Sequence, residues 1–178
     1  MIITGKPTFI ATYAPSNDTE QIISSGLDST YSSYMFVFTD MYVHTATSSF
    51  TFQTGATYNT ATTSAPYVAY HNEDGTSSGG AFESGIAWSS QTTFVQMHRR
   101  MGTSSDDCMA GIMVLVDPAS TVHEKYFYYS INHTMDLGPA SSLTVNQGQI
   151  KTTSAITQIQ FKADSGNISG TIQLYGIT

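Results

Sequence analysis

The sequence predicts an all-β protein, an antiparallel β-sandwich of jelly-roll type with about eight to ten strands. Three observations carry that expectation. The chain of 178 residues holds 26 Thr and 23 Ser, so hydroxyls rather than charges supply its polarity. Only 11% of it is Asp, Glu, Lys or Arg, while 40% is hydrophobic and 12% aromatic. Runs rich in Thr, Val, Ile, Tyr and Phe recur between clusters of Gly, Asn, Asp and Ser, which is the composition of pleated, half-buried surfaces and their turns.

Taken in order, residues 1–18 carry Pro7, Pro15 and an Asn17-Asp18 turn, and read as an extended arm with one short strand over Thr8 to Tyr13. A single sandwich domain then covers residues 19–178. A strand is expected over Thr19 to Ser24. The next, Ser33 to His44, is nearly continuous in large apolar residues and reads as a central strand buried on both faces. Further strands fall over Ser48 to Thr54, Pro66 to His71, Thr92 to His98 and Met109 to Val116, followed by Glu124 to Ile131 and Leu143 to Lys151. Two last ones cover Ala155 to Ala163 and Gly170 to Ile177. Their alternation places Ile159 with Phe161, and Ile172 with Leu174. The turn between them carries Gly166 where a positive φ is needed, so the pair reads as a terminal β-hairpin. Glu73 to Ser90 and Gly102 to Asp107 read as the long loops, the first places to look for contacts.

Charge and cysteine narrow the chemistry. Thirteen acids against six bases give a net charge of −7. Such a chain builds no basic face for nucleic acid or anionic membrane. The N-terminus has no basic segment followed by a long apolar run, and no apolar stretch is long enough to span a bilayer. Cys108 is the only cysteine, which excludes an intrachain disulfide. Its neighbour Asp107 would not activate a thiolate, and a buried apolar role is expected.

Catalytic patterns are sparse. His44, His71, His98, His123 and His133 stand one to a segment, without ligand spacing, and read as surface or strand-edge residues. Glu73-Asp74 and Asp106-Asp107 are loop carboxylates outside any calcium-loop pattern. Glu83-Ser84-Gly85 lacks the first glycine of a nucleophile elbow. No cofactor is called for. In Tyr126-Phe127-Tyr128-Tyr129, Tyr126 and Tyr128 point one way and Phe127 and Tyr129 the other. Either both pairs are buried, between sheets or subunits, or one pair forms an exposed aromatic strip for a partner or a sugar.

The ending Thr152 to Ile177 contains Ala155-Ile-Thr-Gln-Ile-Gln-Phe, then Ser165-Gly-Asn-Ile-Ser-Gly-Thr-Ile-Gln-Leu-Tyr-Gly. It resembles the C-terminal ending of a family of bacteriophage virion structural proteins, common in marine and cyanobacterial phages. Leu27-Asp-Ser-Thr-Tyr-Ser-Ser-Tyr-Met-Phe-Val-Phe is similar to that family's opening strand, and Leu115-Val-Asp-Pro-Ala-Ser to its middle strand-to-turn element. The resemblance implies a non-enzymatic component of the virion exterior, as head decoration or cement or as part of a tail or fibre, with no catalytic residues to carry over. It would act as a homo-oligomer, a trimer, docked onto other virion proteins. The arm, through Pro7, Phe9, Tyr13 and Pro15, is the expected partner-binding element. The alternative is a receptor-binding module that recognises host surface glycans through the loop Glu73 to Ser90 and its Trp88.

Overall fold

The computed structural model describes residues 5–104, 106–136 and 140–178; the side chain of Trp88 also lies outside the described part. Among the described residues there is no helix, and two antiparallel sheets pack face to face. The strands are β1 (Thr8–Tyr13), β2 (Ser16–Asp18), β3 (Gln21–Ile23), β4 (Ser33–Val43), β5 (Phe50–Thr54), β6 (Thr62–Ser64), β7 (Tyr67–Asn72) and β8 (Ser78–Phe82). They continue with β9 (Trp88–Gln91), β10 (Val95–Gln96), β11 (Met109–Val116), β12 (Lys125–Met135), β13 (Ala140–Ile150), β14 (Ile159–Ala163) and β15 (Ile168–Ile177).

The larger sheet runs β1-β15-β4-β11-β12-β13-β6-β9, with β2 on β15 and the β7-β8 pair on β13; the smaller runs β10-β5-β14-β3. Between them lies an apolar core centred on Phe161, whose ring meets Phe36 and Phe38 edge-on at 5.4 Å and stacks on Phe50 at 5.7 Å. Phe52 and Phe127 meet edge-on at 5.0 Å beside it. Edge-to-face contacts of this kind satisfy the ring quadrupoles while excluding water from the whole cluster.

Four expectations are corrected. The strand count exceeds ten because short strands lie in segments that read as loops: Glu73 to Ser90 contains β8, in which Gly79 and Gly80 pair with Tyr70 and Ala69, and most of β9. The last two long strands form no hairpin. β14 pairs with β3 and β5 in the small sheet and β15 with β1, β2 and β4 in the large one, so the turn carrying Gly166 at φ 79 takes the chain across the sandwich. β4 buries Tyr34, Phe36 and Phe38 on one face, while Met35 and Val37 on the other are only half covered. The arm is not free of the sandwich: β1 lies along β15 as an edge strand of the large sheet, with Pro7 and Pro15 just outside its ends.

The large sheet is much the wider, and the small sheet covers only its inner face. One close approach there is set by a missing side chain. A Cβ on Gly148 would overlap the ring of Phe127 and stand 2.6 Å from the Thr63 carbonyl oxygen. Glycine at this point of β13 lets a core aromatic lie flat over the strand.

Candidate interaction surface

The outer face of the large sheet is built by the alternation of seven strands. Cross-strand register places Val37, Ile112, Ser130, Val145, Tyr67 and Phe82 in one continuous row through β4, β11, β12, β13, β7 and β8. A second row joins Met35, Val114, Tyr128 and Gln147; a third joins Val116, Tyr126, Gln149 and Thr63. On the other side of the first row come Ala110, Asn132, Leu143, Ala69 and Gly80. No Asp, Glu, Lys or Arg stands in any of these rows.

The middle of this face is a groove of about 1090 Å³ lined by Tyr67, Ile112, Val116, Tyr126, Tyr128 and Val145, with Gln147 and Gln149 among its polar members. Tyr126 is 54% exposed and Phe82 58%. The hydroxyl of Tyr128 is buried without a hydrogen-bond partner, and burial pushes its pKa up. An exposed apolar patch spanning several strands marks an interaction site rather than ordinary surface, where apolar residues stand singly. Thus the tyrosine-rich run splits as its alternation requires. Phe127 and Tyr129 are core, Tyr129 bonding the Gln96 carbonyl at 3.1 Å; of the outward pair, Tyr126 is exposed and Tyr128 half-buried.

The residues singled out in the sequence are spread around this face. Phe9, on edge strand β1, is 55% exposed and meets Tyr175 edge-on at 5.7 Å. Tyr13 packs against the core, and Pro15 is buried. The backbone of Trp88 pairs with Ser64, next to Thr63 at the end of the groove; its side chain lies outside the described residues.

Histidines give a correction. His98 and His133 are neither surface nor edge residues: both are buried, with ring centroids 4.3 Å apart. Each stands alone in its own segment, so nothing in the sequence pairs them. Ser142 lies opposite His133 and is also buried. Among the described residues no group of three or more His, Cys, Asp or Glu is placed to hold a metal ion.

The loop carboxylates do converge. Glu73, Asp106, Asp107 and Asp136 line a polar pocket of about 570 Å³. Two of them are answered from within the chain, Asp107 by the Ser104 amide at 2.7 Å and Asp136 by Arg100 at 3.9 Å. Cys108 is half-buried, and its thiol pKa is raised by burial and then by Asp40, Asp107 and Asp106.

No family model and no curated protein matches the chain. Solved structures that it matches include a crystal structure of unknown function from Bacteroides ovatus, 7% identical with a TM-score of 0.32 over 62% of this chain and 45% of that one. Another is the structure of infectious bursal disease virus, Gt strain, 10% identical with a TM-score of 0.19 over 97% and 42%. The chain spans less than half the length of either, and at these TM-scores neither carries an argument about its role.

Proposed function

We propose that the chain is a non-enzymatic structural protein of a bacteriophage particle exterior, a head decoration or cement subunit or a tail or fibre component, that works by associating with itself and with neighbouring virion proteins. The observation that carries this reading is the uncharged, aromatic-rich outer face of the large sheet, where Tyr67, Phe82, Ile112, Tyr126 and Val145 stand exposed. The likeness of both ends of the domain to phage virion proteins supports it. So does the surface chemistry, because burying hydroxyls against a neighbour costs far less than burying ions.

Edge strand β1 is the second contact element. It offers an open ladder of backbone groups beside the exposed Phe9, a surface onto which a neighbouring strand can add. Phe9→Asp keeps the β1 backbone and removes the apolar contact. Particles assembled with this variant should contain the protein at a small fraction of the normal level; unchanged incorporation would remove β1 from the docking surface.

A second reading is favoured by the groove itself. Tyr67 and Tyr126 offer ring faces beside Gln147 and Gln149, a combination suited to a neutral host glycan. Host adsorption blocked by Tyr126→Ala in particles of normal composition would select it.

A further inference from the structure

The outer face has a property that tells one occupant from another. Its four rows draw on seven strands of a chain whose net charge is −7, yet none of the residues in them is charged. Nearby charges stand at its margins: Lys151 pairs with Glu124 at 3.6 Å just beyond Gln149, and the exposed Asp40 lies in the β4 bulge opposite Ala110. The basic residue nearest the groove in sequence, Lys125, points the other way and is buried. Hence the face has nothing with which to attract a charged partner.

A surface of this kind suits contact with itself. In a two-fold pair every residue near the axis meets its own copy, so one carboxylate there would face an identical carboxylate. Like charges desolvated against each other oppose association strongly. An acidic chain can therefore meet its copy face to face only across a patch cleared of charge. This outer face is such a patch.

Its size also fits. Six strands about 4.8 Å apart and about seven residues at 3.3 Å each make a face on the order of 600 Å² per copy, or about 1,200 Å² for a pair, the lower end of stable interfaces. Tyr67, Tyr126 and Tyr128 line its groove, aromatic anchors of the kind in which the energy of an interface is concentrated.

We infer that the outer face of the large sheet is covered by the same face of a second copy, a two-fold pair in place of the trimer expected from the sequence, with Tyr67, Ile112, Tyr126 and Val145 at its centre. This rests on the reading that the chain works as an oligomer, and it names the surface and the symmetry. Because the pair joins two acidic bodies through an uncharged patch, added salt screens their repulsion and tightens it.

The test is sedimentation equilibrium of the full chain, at low and high sodium chloride, for the wild type, Tyr126→Glu, Val145→Glu and Phe9→Glu. All three sites are exposed, and circular dichroism confirms that each variant keeps the wild-type fold. The expected result is a wild-type dimer that tightens with salt. Tyr126→Glu and Val145→Glu should weaken it about a hundredfold or more, and Phe9→Glu should leave it unchanged. A wild-type trimer dissociated only by Phe9→Glu would overturn the face-to-face pair and keep the oligomer reading. A monomer at every concentration and salt would overturn both. A monomer that binds a neutral oligosaccharide, with binding lost in Tyr126→Glu, would give the groove to a glycan instead.

Discussion

His98 and His133 hold opposite neutral tautomers in the core. The Nε2 of His98 accepts the Phe50 amide at 3.0 Å, so its proton sits on Nδ1. The Nε2 of His133 donates to the Arg99 carbonyl at 2.7 Å, so its Nδ1 is bare. Neither Nδ1 has a hydrogen-bond partner, and the rings lie 4.3 Å apart. Two neutral imidazoles fit this space. A second positive charge in it does not.

The fold should therefore weaken in mild acid. Burial lowers the pKa of His133 from 6.5 to about 4 and pushes His98 well below its ordinary value, with His133 as the second cause. Both folded values lie below the unfolded ones, so the unfolded chain binds more protons as pH falls below 6.5 and stability is lost. Each histidine contributes a slope of about 1.4 kcal/mol per pH unit, or on the order of 3 kcal/mol for His133 across its window. Thermal unfolding followed from pH 7.5 to 4.5 should show a steadily falling midpoint below pH 6.5. A flat midpoint down to pH 5 would contradict this account of the pair.

Lys125 is a buried ammonium with no carboxylate partner among the described residues. Its Nζ donates to the carbonyls of Ser120 at 2.6 Å, His123 at 2.9 Å and Thr152 at 3.2 Å, tying the turn before β12 to the chain after β13. Burial lowers its pKa, and Asp117 acts against that shift. Lys125→Met keeps the stem and leaves three carbonyls unpaired, a loss of about 2–4 kcal/mol. Urea unfolding should show it, with faster amide exchange over residues 120–124. A loss below 0.5 kcal/mol would mean that water replaces the ammonium at little cost.

Gly148 and Phe127 share one volume. Gly148→Ala should displace the Phe127 ring, at a cost of about 1–3 kcal/mol. Because Phe127→Leu relieves the ring overlap but not the 2.6 Å approach to the Thr63 carbonyl oxygen, the double variant should be less destabilised than the sum of the two single changes while retaining part of the glycine penalty. A double-mutant cycle in urea checks this, and strict additivity would contradict it.

Much of the fold was legible because alternation is a local property. Met109–Val116 is read end to end, and the split of Phe127 and Tyr129 from Tyr126 and Tyr128 follows from parity alone. What alternation does not carry is which sheet a strand joins. Ile159, Phe161, Ile172 and Leu174 all face the core as expected, yet they reach it from opposite sheets. Ser78–Phe82 was missed because it pairs through its backbone and has two glycines where side chains would reveal a strand. The uncharged outer face was invisible for a different reason. It exists only once register sets Val37 beside Ile112 and Tyr67 beside Phe82, residues far apart in the chain. His98 with His133, and Lys125 with its carbonyls, are likewise products of the assembled fold.

As proposed above, this chain is a structural part of a phage particle's exterior. Imaging purified virions by electron cryomicroscopy, with a labelled copy of the chain, tests it most directly. The account predicts label at regular, symmetry-related positions on the outside of head or tail. Intact particles that contain none of the protein would contradict it.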